Sequence, residues 1–263
     1  MLRGRELESE GPRLSTADVL QIGERAREAL ARGGGFARPL AGFPDAPYLE
    51  ADGEVIWVGA RLPARHPRAV LTTAAPPRGV ALRFVSLPEH GWLPRLPALS
   101  GADGPRELLR GMRPRSPRGL PASRVQALAA AYLRDDPHEV FAATLPLLGV
   151  GSGFTPSGDD LAGAALFGRR WLAPEAPQWR ETAESLAREA GTRSHAVSAA
   201  LFADLARGES FEPLHALGEA LACGSEERAR SAVQALTAIG HSSGCDMLAG
   251  LAIGMGIAQS DAT

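Results

Sequence analysis

The apolar positions of the first 110 residues change from a helical to an alternating pattern. The stretch "LSTADVLQIGERAREALARGGG" predicts a first helix, with Ser15 and Asp18 as a capping box and Gly33 to Gly35 as its end. Strand patterns follow: "PYLEADGEVIWVGA" predicts a hairpin that turns at Asp52-Gly53, and "AVLTTA" and "VALRFVSL" predict two more strands. Frequent prolines indicate that these strands are short.

From Ser123 onward the pattern is helical, with about seven helices separated by start and stop signals such as Asp136-Pro137 and Gly208. The Pro-, Gly- and Arg-rich stretch 99–121 is interpreted as a connection. Four arginines in it form either an anion-binding patch or a solvated linker, and the absence of aromatic residues favours the linker: Arg110, Arg113, Arg115 and Arg118. The sequence therefore predicts an α+β protein: a β-rich region with a leading helix over residues 1–110, then an all-helical region over residues 122–263.

Composition narrows the class of protein. The 263 residues are 44% hydrophobic and 22% charged, and the net charge of −2 gives no general attraction to nucleic acid or to an anionic membrane. The start of the chain lacks the apolar run of a signal peptide, and no apolar run reaches the roughly 18–20 residues of a membrane span. Cys223 and Cys245 form no recognised pair motif, which favours a reduced, cytoplasmic setting.

The most distinctive stretch is "LLGVGSGFTPSGDDLAGAALFG", in which a glycine-rich turn leads into a helix of small apolar residues. Gly149, Gly151 and Gly153 alternate, which lets backbone N–H groups approach an anion closely. Asp159 and Asp160 point about 100° apart on a helix, so both cannot cap it. One of the two carboxylates is therefore available to a ligand, an arginine or a metal ion.

A second copy of this pattern, "AIGHSSGCDMLAGLAIGMG", lies near the end of the chain. In each copy Ser-Gly-x-Asp precedes a helix of small residues, and a close approach of the two helices would compensate for the low helix propensity of their glycines. If they cross, two helix N-termini face one anion, together with four hydroxyl groups: Thr155, Ser157, Ser242 and Ser243. The alternative is ordinary capping, in which Ser157 or Ser243 is the N-cap and the acid three residues later reaches back to it.

The sequence excludes several common nucleotide-binding, metal-binding and catalytic motifs. The glycine turn has no Gly-Lys-Ser/Thr, and the chain contains no lysine, so it is not a Walker A loop. A helical context precedes the turn where a Rossmann fingerprint needs a strand. No His/Cys spacing fits zinc, and no nucleophile elbow surrounds Ser157.

The run around the two aspartates resembles the AllH-like family, a subunit type of the oxamate carbamoyltransferase of allantoin catabolism. The resemblance covers about residues 145–257. It rests on two motifs, a glycine turn with Thr-Pro-Ser-Gly-Asp-Asp and a later Gly-His-x-Ser-Gly-x-Asp: Gly151, Gly153, Thr155, Pro156, Ser157, Gly158, Asp159 and Asp160, then Gly240, His241, Ser243, Gly244 and Asp246. Thr192 and Ser194 match a Thr-rich helix start more loosely, and Ser152 and Phe154 depart from the expected Pro and Leu.

The resemblance implies a complex that exchanges a carbamoyl group between phosphate and oxamate and that needs other subunits. Both substrates are anionic, so fixed donors are expected to bind them: Gly151, Gly153, Thr155, Ser157, Gly158, Thr192, Ser194, Ser242, Ser243 and Gly244. The nitrogen of oxamate needs proton transfer, for which Asp160 and His241 are the candidates, and Asp159 and Asp246 are candidate ligands of Mg²⁺.

Other roles stay open at this point. His241 is equally suited to capping the preceding helix, whereas His195 is interpreted as an ordinary helix residue of the surface or core. Arg193 is either a contact to phosphate or one of many solvated arginines, and the second is favoured. The chain as a whole is either a catalytic subunit or a non-catalytic subunit that binds an anion and supports assembly, or it serves a related carboxylate or ureido substrate.

Overall fold

The computed structural model describes residues 14–43, 46–112 and 119–257, and the chain forms two compact units. One comprises Met1–Leu62 and Arg68–Trp92, and the other comprises Pro63–Pro67 and Leu93–Thr263. The start of the chain, Arg113, Arg115 and Arg118 lie outside the described residues. A β-rich part followed by a helical part confirms the predicted fold class.

The first unit contains a seven-stranded sheet with the order β1-β7-β3-β4-β5-β6-β2. The strands are β1 (Leu14–Ala17), β2 (Val19–Ile22), β3 (Phe36–Pro39), β4 (Tyr48–Ala51), β5 (Glu54–Gly59), β6 (Ala69–Thr72) and β7 (Ala81–Phe84). β1 pairs in parallel with β7, while β2 pairs antiparallel with β6 at the opposite end of that order. Only Asp18 separates β1 from β2, so the two edges of the sheet meet there and the sheet closes on itself.

The first helix is shorter than predicted. Helix α1 spans Glu24–Arg32, and the Ser15–Asp18 segment that was predicted to cap it lies in and between β1 and β2. Pairing with two distant strands outweighs the local capping pattern, because it satisfies the backbone groups of both sheet edges. The end of the helix at Gly33 is confirmed.

The predicted hairpin is also confirmed, since β4 and β5 pair antiparallel across Asp52 and Gly53. Both turn residues have positive φ, 49° and 77°, as a two-residue hairpin turn requires. Apolar side chains from the sheet and from α1 form one core, which includes Leu30, Ile56 and Leu82.

The second unit is helical. It contains α2 (Asp103–Gly111), α3 (Ala122–Arg134), α4 (Pro137–Thr144), α5 (Ser157–Leu172), α6 (Pro177–Arg193), α7 (Ala196–Arg207), α8 (Glu212–Ala222), α9 (Glu226–Thr237) and α10 (Ser243–Gly254), with a 3₁₀ turn at Leu145–Leu147. Helix α2 lies in the stretch that was predicted to be only a connection. Its buried Pro105 and Leu109 pack within the unit, and this apolar face outweighs the breaker-rich composition. Among the described helices none is long and apolar enough to span a membrane.

Helices α5 and α10 run in the same direction in backbone contact. A Cβ built on Gly250 would lie 2.1 Å from the carbonyl oxygen of Leu161, and one on Gly254 would lie 1.9 Å from that of Ala165. The same offset of 89 positions relates both pairs, which makes the helices parallel and places their N-termini side by side. The small residues that cost helix propensity are therefore the ones that allow this approach.

We expect Gly254→Ala to lower the free energy of unfolding by about 3 kcal/mol or more, because the new methyl group overlaps a backbone carbonyl that cannot move independently. Denaturant unfolding of the full chain, followed by circular dichroism, measures the change.

Gly191→Ala is the matched control, since Gly191 lies in α6 and a Cβ there meets no atom within 4 Å. It should leave stability unchanged or raise it by up to about 1 kcal/mol. Equal effects of the two substitutions would contradict the close helix contact.

Candidate functional site

The two Ser-Gly-x-Asp motifs meet at the N-termini of α5 and α10. The hydroxyl oxygens of Thr155 and Ser243 are 2.8 Å apart, and those of Ser157 and Ser242 are 3.4 Å apart. Segments more than 80 positions apart in the sequence therefore form one cluster of hydroxyl groups.

Two carboxyl groups complete the cluster in a crossed arrangement. Asp160 of α5 is hydrogen-bonded by Ser243 and Thr155, and Asp246 of α10 is hydrogen-bonded by Ser157 and Ser242. Each acid thus has one partner on its own segment and one on the other helix. This exchange follows the repeat in the sequence and ties the two helix starts together.

The cluster does not consist of ordinary helix caps. The N-caps are Pro156 for α5 and Ser242 for α10, one residue before the predicted Ser157 and Ser243. No N-cap side chain of either helix accepts a hydrogen bond from the first turn. The capping alternative is therefore wrong for these hydroxyls, which bond across the helix pair instead.

Burial decides the protonation of the two acids. Asp160 and Asp246 are 5% and 1% exposed, and one oxygen of each, Oδ2, is buried without a hydrogen-bond partner. Desolvation raises the pKa of Asp160 to about 8, and the hydrogen bonds from Ser243 and Thr155 offset this only in part. Desolvation also raises the pKa of Asp246. At pH 7 Asp160 is therefore mostly a neutral acid that can donate a proton.

Asp159 lies in a different environment from its neighbour. One of its carboxylate oxygens accepts from the backbone N–H of Gly149 at 2.8 Å, and the other accepts from the hydroxyls of Ser198, at 2.6 Å, and Ser194. These bonds fix the glycine turn to the start of α7. Asp159 is consequently a structural anchor with both of its oxygens in use.

The glycines of the motifs allow close packing. A Cβ on Gly158 would lie 2.0 Å from the carbonyl oxygen of Leu147, and one on Gly244 would lie 1.8 Å from that of Leu236. The N–H groups of these two glycines donate to carbonyl groups of the preceding segments. Gly158 and Gly244 are therefore committed to the fold, and the predicted anion-binding role is left to the hydroxyls and to the exposed turn with Gly151 and Gly153.

The remaining predicted residues lie at different distances from the cluster. Thr192 is exposed and donates to the carbonyl of Glu189 within α6, so it has a local partner. Ser194 contacts the cluster only through Asp159. His241 is exposed in the turn that precedes α10, one residue before Ser242.

Two residues of this region were missed or set aside by the sequence analysis. His195 was interpreted as an ordinary helix residue, yet its Nε2 is 3.1 Å from the carbonyl oxygen of Gly153 in the glycine turn. Ser198, which donates to Asp159, was not considered. The only available signal was their position next to Ser194 in "TRSHAVS", which does not indicate a contact with a turn 40 residues earlier.

The cluster does not fit a resident Mg²⁺. Of the two predicted ligands, Asp159 uses both oxygens in hydrogen bonds. Asp246 is 1% exposed and is hydrogen-bonded by Ser157 and Ser242, whereas Mg²⁺ takes several oxygen ligands and usually keeps bound waters. Within the described part of the chain no three His, Cys, Asp or Glu side chains converge.

Comparison with known families agrees with the resemblance of the two motifs. Residues 147–255 match the family model described as oxamate carbamoyltransferase subunit AllH. This segment runs from the 3₁₀ turn through α10 and contains the whole cluster. No curated protein and no solved structure matches the chain.

The adjacent acids provide a matched test of these environments. We expect Asp160→Asn to stabilise the protein increasingly between pH 5 and pH 8. The folded state holds a proton on Asp160 that the unfolded state has lost, so the wild-type free energy of unfolding falls by up to about 1.4 kcal/mol per pH unit through this group. The amide variant lacks that dependence.

Asp159→Asn should instead lower the free energy of unfolding at pH 7 by about 2 kcal/mol or more, because an amide can accept on only one oxygen where three donors converge. Denaturant unfolding of both variants and wild type at pH 5, 6, 7 and 8 gives the comparison. Parallel pH profiles of wild type and Asp160→Asn would contradict a buried neutral acid.

Proposed function

We propose that this chain is a subunit of a carbamoyltransferase that interconverts oxalurate plus phosphate with oxamate plus carbamoyl phosphate. The observation that carries the proposal is the crossed pair of buried carboxyl groups among four hydroxyls, at two adjacent helix N-termini. The family match over residues 147–255 supports the same function.

The chemistry asks for a proton and for donors to negative charge. When phosphate attacks the carbamoyl carbon of oxalurate, the bond from that carbon to nitrogen breaks, and the nitrogen of the departing oxamate takes up a proton. A carboxyl group with a pKa of about 8 is protonated at neutral pH and suits this role, and in the reverse direction its ionised form accepts the proton. We assign this role to Asp160.

The positive ends of two parallel helices favour anionic substrates beside Asp160. The hydroxyls of the cluster hydrogen-bond to the two acids and to one another. In this proposal they exchange one of these partners for the negative charge that develops on the carbamoyl oxygen. The exposed turn around Gly151 and Gly153 and the exposed His241 flank this cluster in sequence and extend the proposed binding surface. The partner subunits complete the enzyme in this proposal.

The alternative is a non-catalytic subunit that binds a small anion and supports assembly. The burial of Asp160 and Asp246 favours this alternative. A substrate can reach the two acids only if the cluster of hydroxyl groups opens or if a partner subunit changes its conformation. Catalysis and assembly are separable by experiment, since both acids are buried and a substitution of either leaves the surface of the subunit unchanged.

The decisive variant is Asp160→Asn in the complex reconstituted with its partner subunits. We expect phosphate-dependent formation of oxamate from oxalurate to fall by about 100-fold or more, with unchanged assembly on size-exclusion chromatography, because the amide cannot transfer the proton. Glu184→Gln on the exposed face of α6 removes a carboxylate elsewhere and should retain full activity. Full activity of Asp160→Asn, or loss of assembly by a correctly folded variant, would support the non-catalytic alternative.

A pH profile gives an independent test. In the direction that forms oxamate, kcat should decrease as the pH rises through about 8, because Asp160 then loses the proton it donates. Wild-type kcat measured from pH 6 to pH 9.5 in the reconstituted complex provides the curve. A kcat that stays constant across this range would exclude Asp160 as the proton donor.

A further inference from the structure

The closed sheet of the first unit has a cavity at one of its ends. Its volume is 410 Å³, and its floor is formed by the buried side chains of Leu49 on β4, Val58 on β5 and Leu82 on β7. Strands β5 and β6 run parallel to each other and opposite to β4 and β7. The ends of β5 and β6 and the beginnings of β4 and β7 therefore lie on the same side of the sheet, where the cavity is. The cavity is thus the mouth of the closed sheet, a common place for small ligands.

The walls are mostly apolar. They come from the segments next to the strand ends: Ala46 and Pro47 before β4, Gly59, Ala60 and Arg61 at and after the end of β5, and Ala75, Pro76, Pro77, Arg78 and Gly79 before β7. No acidic side chain of the described residues lines the cavity. Arg61 and Arg78 are its charged groups, and both side chains are exposed at its rim.

The arginines of this unit differ in how their charge is compensated. Those described elsewhere in the unit have an acidic or aromatic partner: Arg25 with Glu28, Arg27 with Glu24, Arg32 with Asp52, Arg38 with Glu50, Arg68 with Glu54 and Arg83 with Phe36. Arg61 and Arg78 form no ion pair with a described residue. Among the described arginines of this unit, the two without an ion pair or a ring partner thus both line this cavity.

We propose that this cavity binds a small organic acid, whose carboxylate pairs with Arg61 and Arg78 and whose apolar part lies on Leu49, Val58 and Leu82. Guanidinium groups match the planar geometry of a carboxylate, and the apolar floor gains free energy from a hydrocarbon segment that inorganic anions lack. The site lies outside the segment that matches the family model and is independent of the function proposed above.

The cavity of 530 Å³ in the second unit is a weaker candidate, although three arginines line it: Arg95, Arg170 and Arg207. Arg170 and Arg207 lie in the last turns of α5 and α7, where their charge offsets the negative ends of the helix dipoles. Arg207 is also paired with Asp204. Glu209 adds a negative charge to that lining.

The test uses the full-length protein and simple probes: acetate, hexanoate, 1-hexanol and inorganic phosphate, with binding measured by calorimetry or NMR shifts. We expect hexanoate to bind at least about tenfold more tightly than acetate, phosphate or hexanol, since it alone combines the charge with an apolar chain. The double variant Arg61→Gln/Arg78→Gln should lose at least about tenfold in hexanoate affinity. Both positions are exposed, so the variant is expected to fold, as circular dichroism will verify.

Arg38→Gln is the matched control, because Arg38 is exposed in the same unit and pairs with Glu50 away from the cavity. It should leave hexanoate binding unchanged. The proposal is overturned if hexanoate binds the double variant as it binds the wild type, if the control loses as much affinity, or if phosphate or hexanol binds as tightly as hexanoate.

Discussion

Backbone contact between the parallel helices α5 and α10 is the constraint on which the rest of the helical unit depends. Gly250 and Gly254 leave room for the carbonyl groups of Leu161 and Ala165, and any side chain at these positions would separate the helices. Parallel neighbours place like ends of two helix dipoles together, which is unfavourable by itself. Close packing of small residues offsets this cost, and the positive ends that it brings together are the natural place for negative charge.

The same contact determines the chemistry of the acids. Asp160 is hydrogen-bonded by Ser243 of the other helix and is desolvated by burial, so its pKa rises even though a helix N-terminus favours the ionised form. Asp159, one position earlier, points about 100° away and receives three hydrogen bonds that tie the glycine turn to α7. Two adjacent residues of one type thus differ in role because one faces α10 and the other faces α7.

The sequence predicted the features that are repeated or local. Two Ser-Gly-x-Asp motifs before helices of small residues predicted the meeting of the helix starts, and Asp52-Gly53 predicted a hairpin. It did not predict the contacts between segments that lie far apart in the sequence. Residues 14–22 form strands because they pair with β7 and β6, which are more than 45 positions away in the sequence. The local Ser15–Asp18 pattern does not indicate these partners. The contact of Ser198 with Asp159 is equally non-local, since it depends on how α7 packs against α5.

The source of positive charge differs between the two candidate sites, one in each unit. Around Asp160 and Asp246 the positive field comes from helix ends, which are fixed, and burial raises the pKa of both acids. These are the groups that the proposed transfer of a carbamoyl group and a proton requires. At the mouth of the closed sheet the positive charge comes from Arg61 and Arg78, which form no ion pair with a described acidic residue. The organic acid proposed for that cavity is therefore held by the charge of side chains at its rim, whereas the proposed carbamoyl transfer depends on a proton of Asp160.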